Sequence, residues 1–319
     1  MHRRTGEQLG FLDGFLGSGL GRNVRLERIE GLLDWTRVGA VVSSVHGAST
    51  GAPSYPPLTM VKALLLQAWY GLSDPGLEEA LQDRLSFRRF VGLGLDEGTP
   101  DHSTISRFRK RLREAQLSEA LFGEVERQLD ERGLFVKQGV LVDASVIEAQ
   151  GARPAYGSNG DDASDKDARW TRRGAKSHYG YKAHIGVDRG SKLIRRNRLT
   201  PASLNDTECA DEMIPDDVRE VYADMAYDTR ARRSRLKARR VKDRIMHRPN
   251  KHHPKLPRWK ARRNDLIAPI RAAVENLFGT LKRSYRYTKV PYMGLAANAA
   301  HFNLLCIAIN LRRADVLTR

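Results

Sequence analysis

Gly139-Val140-Leu141-Val142-Asp143 decides how this chain is read. It is a short, continuously apolar run that ends in an acid, which suits a buried strand. Val218 to Asp224 repeats the arrangement, again closing on a carboxylate. Between the two, Tyr181 to Asp188 and Lys192 to Leu199 read as strands joined by a hairpin turn at Gly190-Ser191, and Asp206 to Ile214 reads as a short helix. The polar stretch Gly151 to Gly174 reads as a loop. Beyond Asp224, Asp228 can cap a basic helix through Arg240, and Val241 to Met246 reads as a fifth strand. Asn264 or Asp265 can cap a long helix with Ile267, Ile270, Val274, Leu277, Phe278 and Leu281 on one side. A last helix runs from about Gly294 to Arg312. From Val140 the order is β-β-β-α-β-α-β-α.

The sequence before this block has another period. Leu26, Ile29 and Leu33 form a helical stripe, and Met60, Leu64, Leu65 and Ala68 form the next. Ser73-Asp74-Pro75 is a stop followed by a capped restart, with Leu77, Leu81 and Leu85 after it. Asp101 and Ser103 can cap a helix carrying Ile105, Phe108 and Leu112, and Leu121, Phe122, Val125 and Leu129 mark one more. Residues 1–22 are Gly-rich and weakly patterned and read as an arm. Ser43 to Pro57 reads as a loop. The expected organisation is an arm at 1–22, an all-α domain at 23–135, and an α/β domain at 136–319.

Composition narrows the function. The 319 residues carry a net charge of +17, with 40% apolar and 29% charged residues, enough for a core and too patterned for disorder. Two distant cysteines, Cys209 and Cys306, exclude a disulfide framework or a Cys-rich zinc module. Met1-His2-Arg3-Arg4 is not followed by a secretory apolar block, and Leu295 to Leu311 is interrupted by Asn298, His301, Asn303 and Asn310, so no membrane partner is expected. The charge is concentrated. Thr229 to Arg263 holds sixteen Lys or Arg against the single acid Asp243, a net +15. Like charges at that density repel unless an anion is bound, so this segment points to nucleic acid. Its Trp259, Pro249, Pro254 and Pro257 suggest an irregular basic loop after the helical start.

The strand and helix order is that of a ribonuclease H-like fold: a mixed five-stranded sheet with flanking helices. There strands one and four lie side by side, so Asp143 and Asp224 would meet, with Glu275 facing them from the long helix. Two divalent ions held by hard carboxylate oxygens suit phosphodiester chemistry. Each acid also has a plainer reading. Asp143 and Asp224 could be turn residues, with Asp228 the real helix cap. Glu275 could be the i,i+4 partner of Arg271 on an exposed helix face.

Five motifs in order raise the first reading. Arg271-x₃-Glu275-x₆-Lys282 is similar to the Tyr-x₂-Arg-x₃-Glu-x₆-Lys signature of bacterial insertion-sequence transposases of the IS4/IS5 superfamily, although Ala268 stands where that signature has Tyr. Leu141 to Ser145 resembles the first acidic motif of these enzymes, Tyr222 to Asp228 the second, Lys176 to His184 their second strand, and Thr99 to Arg109 their N-terminal helical domain. The closing Asn310-Leu311-Arg312-Arg313 is also typical. The chain thus resembles an IS5-type DDE transposase over roughly residues 25–313. The resemblance implies that Asp143, Asp224 and Glu275 are catalytic and bind two Mg²⁺ ions, with Mn²⁺ able to substitute. It implies that Arg271 and Lys282 hold the DNA backbone near the scissile bond. It further implies double-stranded DNA partners (element ends and target), a homodimer that pairs two ends, and action in the cytoplasm at the nucleoid. Further DNA contacts are expected from Arg107 and Arg109 on the basic face of their helix, a possible helix-turn-helix element or a solvated face, and from Arg232, Arg233, Arg239 and Arg240. His184 is expected to be a core or hydrogen-bonding residue rather than a metal ligand. Two rivals remain: a nuclease of the same fold that cuts without joining, and a non-catalytic DNA binder derived from a transposase.

Overall fold

The strand expected to end at Asp143 continues for five more residues. β1 spans Val140–Glu148, and Asp143 lies inside it. β1 pairs antiparallel with β3 (Lys176–Asp188), which in turn pairs antiparallel with β2 (Arg169–Arg173) and β4 (Ile194–Pro201). On its other side β1 pairs in parallel with β5 (Glu220–Ala223), and β5 with β6 (Lys242–Ile245). Thus strands one and four of the sequence reading are neighbours, as expected. The sheet has six strands rather than five, because the stretch read as a polar loop contains β2. The structure is a computed structural model that describes residues 21–45, 54–156, 163–249 and 254–319. Nearly all of the expected arm at 1–22, the middle of the Ser43 to Pro57 loop and residues 250–253 of the basic segment lie outside the described residues.

Alternation along the strands sorts the two faces. Val140 and Val142 on β1 and Val221 and Ala223 on β5 are buried with Met213, Ile214, Leu236 and Ile245 in one cluster. Helices α8 (Asp206–Cys209) and α9 (Arg230–Ala238) belong to this unit. α8 is shorter than expected and is closed by a capping box between Asn205 and Glu208. α9 is capped by Thr229, whose side chain accepts from Arg232 N; Asp228 instead pairs with Arg233 and accepts from Arg248 N. Asp188, fully buried, fixes the β3–β4 turn by accepting from the Gly190 and Ser191 backbone N–H groups. Gly186 lies opposite Val142, and a Cβ there would stand 2.1 Å from the Met213 carbonyl oxygen, so only glycine fits.

The long helix α10 (Arg258–Ser284) packs on β1 and β5. It begins at least six residues before the expected cap, and Trp259 is helical rather than in an irregular loop. Asn264 serves another end: its side chain accepts from His247 N and donates to His247 O, binding the chain that leaves β6. The buried residues Asn264, Ile267, Arg271, Val274, Phe278 and Leu281 recur at spacings of three and four, one stripe of the helix. The last helix is α11 (Leu295–Leu317).

The chain divides into two compact units. One comprises Gly133–Phe302; the other reaches to Arg132 and includes Asn303–Arg319. The first boundary falls between Arg132 and Gly133. The C-terminal seventeen residues, however, join the helical unit, because Trp69 Nε1 donates to Ala308 O, Arg312 donates to Trp69 O, and Arg28 pairs with the buried Asp315. Among the described residues that unit has seven helices before the sheet: α1 (Val24–Glu30), α2 (Trp35–Val42), α3 (Pro57–Tyr70), α4 (Asp74–Asp83), α5 (Leu85–Val91), α6 (His102–Glu114) and α7 (Leu117–Glu131). Ser73 and Asp101 cap α4 and α6 as their sequence predicts.

His184 is buried in the sheet unit, its Nε2 2.9 Å from Thr200 Oγ1. Burial pushes its pKa down to about 4 from an ordinary 6.5. The unfolded chain therefore binds a proton that the fold refuses between these values, so stability is lost as pH falls from about 6.5 to 4, by up to about 3 kcal/mol. His184→Gln removes this titration. Denaturant midpoints at pH 7 and pH 4.5 should differ less in the variant than in the wild type; equal losses would acquit His184.

Candidate active site

The register of β1 and β5 brings two acids together. Val142 pairs with Ala223, so Asp143 and Asp224 are the next residues on two parallel neighbours, on the face opposite the Val140–Ala223 cluster. α10 covers β1 and β5 and brings Arg271 to them. The Arg271 guanidinium stands 3.4 Å from Asp143 Oδ2, 3.7 Å from Asp224 Oδ1 and 3.8 Å from Glu275 Oε1. All three predicted acids thus converge on one cation. Their settings differ: Asp143 is 18% exposed at its side chain, Asp224 39% and Glu275 61%. Asp224 also caps the single 3₁₀ turn Met225–Tyr227, accepting from Met225 N, and Asp143 accepts from Ala144 N. The i,i+4 pairing of Glu275 with Arg271 exists, but Arg271 is a buried residue that serves all three acids.

Burial pushes the Asp143 pKa up to about 6; Arg271 and the Ala144 N–H oppose this and the Asp224 charge adds to it. Lys282 is half-buried, and its pKa is lowered by burial and by the like charge of Arg173, with Glu148 opposing. Tyr227, buried beneath the turn, has a hydroxyl with no hydrogen-bond partner among the described residues. Burial and the Asp143 charge raise its pKa well above the phenol range. Tyr227 falls within the second acidic motif, but a single Tyr before an acid carries no spacing signal of its own.

Hard oxygen donors gathered around a positive group fit a divalent ion in charge and chemistry. Among the described residues no three His, Cys, Asp or Glu side chains stand close enough to hold a metal as they are. Between the acids stands the guanidinium, whose Nε has no partner and whose Nη1 lies 3.8 Å from Met246 Sδ.

The Transposase DDE domain model matches residues 134–311, and that of a Transposase domain (DUF772) matches residues 17–111. The chain belongs to the transposase DDE domain family. It is a DNA transposase, an enzyme that cleaves DNA and transfers strands, and its sheet unit is the ribonuclease H-like domain of that family. Such domains typically use divalent metal ions. Among solved structures, a piggyBac transposase synaptic complex with hairpin DNA is similar over 92% of this chain and 73% of that one, at 12% identity and a TM-score of 0.42, a likeness too slight to bear on the site. No helix among the described residues is long and apolar enough to cross a membrane.

The other basic residues of the transposase fall into two groups. Arg232 is interior: its guanidinium donates to Tyr227 O, Thr207 O and Asp211. Arg233 is held by Asp228 and Asp243, and Arg239 by Pro215 O and Asp216. Arg109 is clamped by Asp74 and Gln67. Arg271 itself faces the acids rather than open solvent. Arg107 is exposed and donates to Ser103 and Thr104 on its own helix, and Arg240 is exposed with a φ of 56°. Arg230 and Lys237 are also exposed on α9.

Two outcomes follow from this division. Replacing Arg230, Lys237 and Arg240 together by Ala should flatten the salt dependence of DNA binding by roughly two to three in log–log slope. Arg232→Ala should instead cost about 3 kcal/mol of stability, by orphaning buried acceptors, and leave the slope alone. Salt titrations and urea melts separate them. In Arg271→Ala the acids lose their resident cation, so the metal-free protein should melt lower. Its Mn²⁺ affinity should then rise at least about tenfold, or about 1.4 kcal/mol. An unchanged Mn²⁺ isotherm would show that the guanidinium does not compete with metal.

Proposed function

We propose that Asp143, Asp224 and Glu275 are the catalytic, metal-binding residues of an IS5-type insertion-sequence transposase that binds the ends of its own element, cuts there and joins the freed 3′-hydroxyls to target DNA. The observation that supports this most is the convergence of the three acids, from β1, the end of β5 and α10, on a single buried cation. The spacing Arg271-x₃-Glu275-x₆-Lys282 supports the IS5 assignment. Both reactions are in-line displacements at phosphorus: water, then a 3′-hydroxyl, forms the new P–O bond while a 3′-oxygen leaves.

Two Mg²⁺ ions, with Mn²⁺ able to replace them, would supply Lewis-acid stabilisation and an activated nucleophile when bound. Asp143 and Asp224, on adjacent strands, would hold one face of that site, and Glu275, the most exposed, would close it from the helix. Lys282, seven residues beyond Glu275 and on the same side of α10, would hold a backbone phosphate beside the scissile bond. The helical unit would recognise the element ends, with Arg107 among its contacts. Pairing two ends for joining favours a homodimer acting on double-stranded DNA at the nucleoid, in the cytoplasm.

Asp143→Asn, Asp224→Asn and Glu275→Gln are each expected to reduce cleavage of duplexes from the flanks of the gene by at least about a thousandfold, since the metal site supplies several kcal/mol, while binding to those duplexes survives. Cleavage retained in any one variant removes that residue from the site. Cutting without joining in the wild type would favour the nuclease instead.

A further inference from the structure

The stretch read as a loop contains a hairpin with an unusual tip. β2 and β3 are joined through Gly174-Ala175, with Arg173 directly opposite Lys176 and Thr171 opposite His178. Gly174 has a φ of 61°, the conformation that a two-residue hairpin turn requires, and nothing lies within 4 Å of a Cβ built there. From Ala168 to Ser177 there are four cations, Arg169, Arg172, Arg173 and Lys176, and no acid. The base is firm. Trp170 packs against Tyr156 and Tyr179, and the hydroxyls of Tyr179 and Tyr181 donate to the buried Asp165. The tip is open: Arg172, Arg173 and Lys176 are exposed.

Like charges directly opposite one another destabilise a strand pair. A solvated tip gains nothing from that arrangement, whereas a polyanion lying across it turns both charges into contacts. The hairpin also stands beside the end of α10: His178 Nδ1 lies 3.5 Å from Glu148 Oε1, and Glu148 N donates to Thr288 O, four residues beyond the helix. The Arg173 charge acts on both Asp143 and Lys282. Lys282 and the hairpin thus come near one another from two elements far apart in sequence.

We propose that the β2–β3 hairpin is a DNA-backbone clamp, with Arg173 and Lys176 holding phosphates of the duplex next to the position that is cut. This rests on the reading of Asp143, Asp224 and Glu275 as the active centre for its location, but not for the contact itself. It adds a phosphate-binding element outside the basic segment 229–263.

The test uses the full chain and duplexes from both flanks of its gene, without divalent ions, so that no cleavage intrudes. Arg173→Ala/Lys176→Ala should weaken binding and make the slope of log K against log salt shallower by about one to two, at about 0.9 per phosphate contact. Arg173→Lys/Lys176→Arg, which keeps both charges, should restore the slope. An unchanged slope in the Ala pair would overturn the clamp and leave these cations as protection of an edge strand. Location is read separately. Both native cysteines are buried, so Lys176→Cys offers a single exposed thiol for disulfide capture by a tether on one chosen phosphate. Capture at the mapped cleavage position, and not ten base pairs away, is expected; equal capture at both would overturn the placement. Should Asp143→Asn still cut, the active-centre reading fails while the slope measurement keeps its meaning.

Discussion

Asp143 and Asp224 are held side by side by three residues of parallel pairing, Val140–Val142 against Val221–Ala223. Their alternate side chains fill the cluster beneath the sheet, so the remaining positions, Leu141 and Asp143 on one strand and Tyr222 and Asp224 on the other, must point to the α10 side. A slip of one residue would exchange the faces, burying a carboxylate among Val140, Val218 and Ile245. The hydrophobic contacts that fix the register therefore also fix the distance between the acids. β5 ends at Ala223 because Asp224 turns its carboxylate onto Met225 N and starts a 3₁₀ turn. The chain leaves the sheet just where the acids meet.

Such a meeting needs a counter-charge. Arg271 lies in the buried stripe of α10, a place that Ile267 and Val274 on either side mark as apolar. A guanidinium there is costly unless anions surround it, and the anions are costly without it. Each ion-pair distance is 3.4 Å or more, and Nε is unpartnered, so the arrangement neutralises charge without forming close hydrogen bonds. It keeps the three carboxylates gathered around one buried cation.

Much of this was legible in the sequence, for definite reasons. Apolar runs closed by acids marked both central strands. Other features were not legible, also for definite reasons. β2 is three Arg in five residues, with Arg169, Arg172 and Arg173 exposed, so its pairing with β3 leaves no apolar signature. Asn264 looked like a cap because a short amide can bind any free backbone; here it binds His247, and the helix starts earlier on Pro257 and Arg258. The stripe on α10 was drawn through Ile270 and Leu277 on hydrophobicity alone, which hid that the third and fourth spacing runs through Arg271. The allegiance of 303–319 to the helical unit depends on Trp69 and Arg28, more than two hundred residues away, and no local pattern carries that.

Net charge shows where a basic protein is rich in cations, not which cations are free. In the segment 229–263, Arg232 and Arg233 are spent on backbone carbonyls and on Asp211, Asp228 and Asp243, so part of its +15 charge is structural mortar for α9 and β6. The hairpin has a quarter as many cations, yet Arg173 and Lys176 stand at an exposed tip with no acid between Ala168 and Ser177. An internal ion pair cannot also release counterions from DNA. The cations left over after folding are therefore the ones open to a polyanion, and around the acids those lie on separate elements of the fold.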